Sequence, residues 1–196
     1  MTFIKICGLR DRESVDAAVA LEVDAVGFVF AASARRIDPG DAAELVAALP
    51  ERTRAVGVFK GSGVDEIVAV ASRAGIRTVQ VHDLTGRTDV ARLHDAGFDV
   101  VRAVVAHSPD AHDAFGADEL LIDGAVAGAG RTWDWSSGAP TGRRWIVAGG
   151  LDADNVAAAL DATGAWGVDV SSGVESARGV KDVALIEKFV AAVRSR

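Results

Sequence analysis

The stretch AVGVFKGSGVDEIVAVASRAGIRTVQV, Ala55 to Val81, holds one complete structural unit. It opens on an apolar run, Ala55–Phe59, crosses a short Gly/Ser turn, and enters an Ala/Val-rich segment, Val64–Ala74, with helical character. Gly75 stands where a helix would need a left-handed residue to stop. A second apolar run, Thr78–Val81, follows at once. Strand, helix, strand within this length predicts a βαβ unit with parallel strands, because two strands joined through a helix cannot be a tight hairpin.

The same pattern recurs in both directions. Further apolar, β-branched runs lie at Phe3–Ile6, Ala25–Phe30, Val100–Val105, Leu120–Ile122, Trp145–Val147 and Gly167–Val170. Helices are predicted at Ser14–Leu21, at Asp41–Leu49 behind Pro39, at Thr88–Ala96 before Gly97, at Asp154–Ala162 before Gly164, and at Asp182–Arg194. Ala106–Asp118 is the least convincing helix, and Gly124–Gly142 is long and Gly-rich. The near-continuous apolar strands point to a sheet covered on both faces. Such units leave an open doubly wound sheet or a closed barrel, and eight of them favour an α/β fold of the (β/α)8 TIM-barrel class, read as a single domain over residues 1–196.

Composition narrows the function. The net charge of −7, without a basic face, argues against a nucleic-acid partner. No apolar run reaches about 18 residues, so no membrane segment is expected. Met1-Thr2-Phe3 runs straight into the first strand, leaving no room for a leader, and the single cysteine cannot form an internal disulfide. These features together predict a cytoplasmic protein.

In a (β/α)8 barrel the chemistry gathers where strands end. The rim then reads Cys7, Ser33 with Arg35, Lys60, His82, His107, Asp123, Gly149-Gly150 and Ser171-Ser172-Gly173. His82 and Asp169 are kept as additional rim residues. Gly149, Gly150, Ser171, Ser172 and Gly173 fall after the last two strands, where this fold commonly cradles a phosphate on backbone N–H groups. His82 and His107 lack a metal-ligand pattern, so no metal is expected. The segment DGAVAGAGRTWDW, Asp123 to Trp135, reads as a lid over the site, or as a loop whose tryptophans pack on the barrel.

The motifs KICGLRD, FVFAASARRIDP, VGVF, VQVHD, LLIDGAVAGAGRTWDW, VAGGLDADNV and GVDVSSGVESARGVKD, in that order, resemble those of phosphoribosylanthranilate isomerases over essentially the whole chain. The resemblance implies an isomerase of tryptophan biosynthesis. Such an enzyme turns N-(5-phosphoribosyl)anthranilate into 1-(2-carboxyphenylamino)-1-deoxyribulose 5-phosphate by an Amadori rearrangement, without a cofactor. By motif, it implies Cys7 as general base, Asp123 as general acid and Arg35 on the anthranilate carboxylate. The five residues of the last two loops would then hold the phosphate. It also implies a monomer or homodimer whose partner is a small phosphoribosyl molecule. The chain departs from the family pattern at Asp83 and at Ala127-Gly128-Ala129-Gly130.

The chemistry asks for these residue types. Ring opening needs a proton donor, so Asp123 must be raised by burial, with Ile122 and the tryptophans as candidates for that desolvation. A thiol needs only modest lowering to serve as the base. Lys5 is read as pointing away from Cys7 and not as its partner. A histidine-pathway isomerase on the same fold is the alternative, disfavoured because strand 1 ends in Cys7 and the loops after strands 3 and 4 lack a second Gly-Gly cradle. A barrel without activity is disfavoured by the presence of both Cys7 and Asp123.

Overall fold

The computed structural model describes residues 1–124, 132–135 and 144–196. Eight parallel strands close a barrel: β1 (Phe3–Cys7), β2 (Ala25–Val29), β3 (Arg54–Phe59), β4 (Thr78–Val81), β5 (Asp99–Val105), β6 (Glu119–Asp123), β7 (Trp145–Val147) and β8 (Gly167–Val170), with β8 pairing back onto β1. The open-sheet alternative is excluded by that closure.

Helices α1 (Arg12–Ala20), α2 (Pro39–Ala47), α3 (Val64–Arg73), α4 (Arg87–Asp95), α5 (Val156–Thr163) and α6 (Val183–Arg194) cover the outside. Their ends follow side-chain chemistry. Asp11 and Asp182 cap α1 and α6 through their carboxylates, and Asp38 with Pro39 opens α2. Gly75, Gly97 and Gly164 all take positive φ behind α3, α4 and α5.

The stretch Ala106–Asp118 is a run of turns rather than a helix. Arg102 explains it. Its buried guanidinium donates to the backbone oxygens of Asp110 and Asp113, pairs with the Asp110 carboxylate, and lies 3.9 Å above the Phe115 ring. The loop wraps around one charged side chain whose donors an α-helix would leave unmet. The structure also adds a small antiparallel hairpin absent from the sequence reading, β9 (Glu175–Ala177) and β10 (Val180–Lys181), behind a 3₁₀ turn at Ser172–Val174.

Alternation along each strand sorts the core into two regions. Ile4 and Ile6 join the apolar layer between strands and helices. Phe3, Ala25, Val56, Val101, Ala103, Leu121, Ile146 and Ala148 fill the lower barrel interior. Above them the interior turns polar, with Lys5, Gln80, Asp123 and Asp169 all buried. Such groups are costly there unless paired or used.

Candidate active site

The polar layer opens into a cavity of about 220 Å³ at the C-terminal end of the strands, lined by Cys7, Arg35, Lys60, His82, Asp123 and Asp169 among others. Cys7 ends β1 and Asp123 ends β6. Two strands, β7 and β8, separate them around the ring, and both face the same space.

Lys5 reverses the expectation drawn from the sequence. Residues two apart on a strand project to the same face, so Lys5 and Cys7 point inward together. In the parallel register Lys5 stands opposite Asp169, and its Nζ donates to Asp169 Oδ1 at 2.9 Å. Room for this comes from Gly27 on the adjacent strand. A Cβ there would lie 2.9 Å from Cys7 Sγ and 3.2 Å from Lys5 Nζ. A glycine inside an otherwise apolar strand was the available sequence signal for that crowding.

The electrostatics follow from this layer. Burial would lower the Lys5 ammonium, but Asp169 and Cys7 outweigh it and hold the charge firmly. Burial pushes the Cys7 thiol up; Lys5 and Lys181 pull it back, and Asp169 opposes them. The modest lowering that the role of base would ask of Cys7 is not what the fold produces, because desolvation exceeds the pull of the two cations. Burial and the nearby Asp169 raise Asp123 to about 6, against the N–H of Gly124, which donates to its Oδ1 at 2.7 Å. Ile122, offered by the sequence as a source of that burial, lies in the outer apolar layer on the opposite face of β6.

His82 lines the cavity, but burial followed by the positive charges of Lys5 and Lys60 lowers it to about 4, so its ring is neutral at pH 7. Its Nε2 lies 3.1 Å from Gln80 Nε2. Among the described residues the buried Gln80 Oε1 has no partner, a polar group in the site that the sequence reading overlooked. His107 is elsewhere, edge-on to Trp133. Among the described residues no group of three or more His, Cys, Asp or Glu could hold a metal ion.

The last two loops form a small recess beside this cavity, lined by Gly149, Gly150, Leu151, Ser171 and Ser172 and shared with Asp123 and Asp169. Among the described residues, the backbone N–H groups of Gly150, Ser172 and Gly173 donate to no protein acceptor. Loop 7 is held by side chains: Asp152 accepts from Asp154 and Asn155, and Asn155 Nδ2 donates to Gly150 O at 2.8 Å. Gly173 has a different position from its neighbours. It does not line the recess; a Cβ there would sit 1.9 Å from Leu151 O, so its bare backbone lets loops 7 and 8 touch.

Arg35 is buried rather than solvated. Its Nε and Nη2 donate to the two carboxylate oxygens of Glu175 at 2.6 and 2.9 Å. Trp133 donates from Nε1 to Ala148 O at 2.9 Å, and Trp133 and Trp135 pack against the outer core. The lid reading of Asp123 to Trp135 falls mainly on residues 125–131, which lie outside the described residues.

A family model described as N-(5'phosphoribosyl)anthranilate (PRA) isomerase matches residues 4–192. An N-(5'-phosphoribosyl)anthranilate isomerase of Streptococcus mutans is 36% identical over 99% of this chain and 100% of its own length. Among solved structures, TrpF from Jonesia denitrificans is 42% identical with a TM-score of 0.88, covering 100% of this chain and 98% of that one. The phosphoribosyl anthranilate isomerase of Thermus thermophilus superposes with a TM-score of 0.91 at 32% identity, over 98% of each chain. Another, 32% identical with a TM-score of 0.88 and full coverage of both chains, is a complex with reduced 1-(o-carboxyphenylamino)-1-deoxyribulose 5-phosphate.

Proposed function

The chain belongs to the N-(5'-phosphoribosyl)anthranilate isomerase family, and from that premise we propose that its barrel mouth carries out the Amadori rearrangement of phosphoribosylanthranilate in tryptophan biosynthesis. One observation carries the reading: a thiol and a carboxyl raised to about 6 line a single cavity from strands that are not neighbours. A proton donor and a proton acceptor on different strands suit a sugar bound between them.

In this reading Asp123 donates its proton to the furanose ring oxygen. The C1–O bond breaks, and the nitrogen lone pair forms the Schiff base. Cys7, as thiolate, removes the proton from C2, whose bonding electrons shift toward nitrogen and leave an enolamine. The enol hydroxyl then gives up its proton as C1 gains one, leaving the ketone at C2. Every atom is retained, so no oxidant, reductant or cofactor is required. Lys5 opposes the effect of burial on Cys7, since an ammonium beside a thiolate favours the charged form.

Arg35 meets the anthranilate carboxylate, and the recess lined by Gly149, Gly150, Ser171 and Ser172 takes the phosphate, with the open N–H groups of Gly150, Ser172 and Gly173 as donors. Gly173 also allows the two loops to approach. The parallel ring of β1 to β8 supports reading residues 1–196 as one domain. The biosynthetic role and the free thiol of Cys7 support a cytoplasmic, reducing setting. The test is the loss of phosphoribosylanthranilate fluorescence with purified protein. Turnover by the wild type that collapses in Cys7→Ser and in Asp123→Asn supports the assignment, and no turnover by the wild type would sink it.

A further inference from the structure

If Arg35 reads the anthranilate carboxylate, its long side chain has to be aimed before substrate arrives, or ordering it would consume part of the binding energy. The structure contains a device for this, built from residues outside the acid–base pair. The Arg35 stem lies across the end of β1 at Gly8, where a Cβ would come within 2.8 Å of Cδ. Glu175, 140 residues away in sequence at the start of β9, takes the Nε and Nη2 donors of its guanidinium. That pairing uses one edge of the planar group. The other edge, carrying Nη1 and the second Nη2 proton, remains, and among the described residues Nη1 donates to no acceptor. A guanidinium held along one edge presents the other to a carboxylate in a fixed plane.

Glu175 is itself fixed. Gly179 N donates to its Oε2 at 3.0 Å and Lys181 Nζ to its Oε1 at 2.9 Å. Against the upward push of burial, these bonds and Arg35 bring its carboxyl down to about 2. Lys181 Nζ also donates to Ser171 O at 2.7 Å, so the β9–β10 hairpin ties the loop after β2, which carries Arg35, to the loop after β8, which carries Ser171. The charge count suits an anionic ligand. Arg35 and Lys181 carry two positive charges against one on Glu175, which leaves the cluster net positive for an incoming carboxylate. A carboxylate placed there alone would repel the ligand, so its presence calls for a role.

We propose that Glu175 is a positioning residue for substrate: clamped by Lys181 and Gly179, it holds Arg35 edge-on so that the free edge of the guanidinium selects the carboxylate of the aryl group. The inference rests on the reading of Arg35 given above. The test is isothermal titration of the full chain with two ligands, the reduced carboxyphenylamino-deoxyribulose 5-phosphate and the same compound without its carboxyl group. The wild type is expected to prefer the first by about 10-fold or more, the scale of a charge-assisted pair. In Glu175→Gln that preference falls below about 3-fold, while the ligand without the carboxyl binds as to wild type within about 2-fold.

A wild type with no preference would remove the role of Arg35 and this proposal with it. A wild-type preference retained in Glu175→Gln would overturn only the positioning role. Equal weakening of both ligands would make Glu175 a structural residue and also overturn it. Should Glu175→Gln fail to fold, Glu175→Asp keeps the charge but is too short to reach both nitrogens, and the same loss of preference is expected. Failure of both variants to fold would assign Glu175 to stability and reject the proposal.

Discussion

Lys5 Nζ lies 2.9 Å from Asp169 Oδ1, one alternation below Cys7 on the same strand, with both partners buried. The pair places a positive charge beside the thiol and a carboxylate near Asp123; burial raises the Asp169 carboxyl, and Lys5, with Lys181 behind it, draws it back toward the charged form. Of the charged neighbours, Lys5 is the strongest influence lowering Cys7, and Asp169 the strongest raising Asp123. One ion pair therefore biases the proposed base toward its thiolate and the proposed acid toward its protonated form.

Lys5→Met is expected to push the Cys7 thiol further up and to leave Asp169 buried without its partner. Breaking such a pair costs on the order of 3–5 kcal/mol. Urea melts should show that loss, and Lys5→Met with Asp169→Asn together should recover part of it without recovering turnover. Alkylation of Cys7 by iodoacetamide, followed against pH, should shift to higher pH in Lys5→Met. An unmoved alkylation profile would separate Lys5 from the thiol.

Cys7→Ser and Asp123→Asn should each lower kcat by at least about 10²- to 10⁴-fold, the usual contribution of a positioned base or acid. Their combined effect should be less than the product, since both act on one reaction sequence. Each variant should still bind the reduced product analogue. Near-normal turnover in either would remove that residue from the chemistry.

The pH profile should be a bell with its limbs assigned in reverse. The active form needs Asp123 protonated and Cys7 ionised, yet Asp123 titrates near 6 and Cys7 is raised by burial. When the acid titrates below the base, the rising limb reports the acid, here near pH 6, and the falling limb reports the thiol. The substrate phosphate ionises in the same region as Asp123, at about 6. Asp169→Asn separates them: removing that charge should move the rising limb to lower pH, whereas a limb set by the phosphate would stay in place.

Asp123 should also cost stability. Its folded value of about 6 exceeds its ordinary 3.8, so the fold loses stability as pH rises between those values, then stays constant. Asp123→Asn does not titrate and keeps an acceptor for Gly124 N. Its advantage over wild type in thermal melts should grow across that window to on the order of 3 kcal/mol. Parallel melting curves from pH 4 to 7 would contradict the raised carboxyl.

Gly150 takes φ +68, a conformation that a side chain resists, and lines the recess of the last two loops. Gly150→Val should weaken inorganic phosphate and product binding while preserving the barrel. Gly173→Ala should instead destabilise the fold, because its Cβ would overlap Leu151 O. Unchanged phosphate affinity in Gly150→Val would relocate the cradle.

The sequence by itself carried the barrel and most of its rim. Apolar runs, helix stops and glycine turns are local signals, so the eight strands lie within a residue or two of where their patterns predicted. The turns of Ala106–Asp118 were legible only as a weak helix, because their organiser, Arg102, acts through a folded loop. The motifs likewise brought Cys7, Arg35, Asp123 and the Gly and Ser loops into view.

Tertiary structure decided what those residues experience. Lys5 meets Asp169 across 164 residues, and Arg35 meets Glu175 across 140, through register and loop closure that no local pattern encodes. The direction of each ionisation was decided there as well. Desolvation depends on everything packed around a group, which is why Cys7 is raised although the role of base asks for a lowered thiol, and why the neutral His82 and the reversed pH limbs emerge only from the closed barrel.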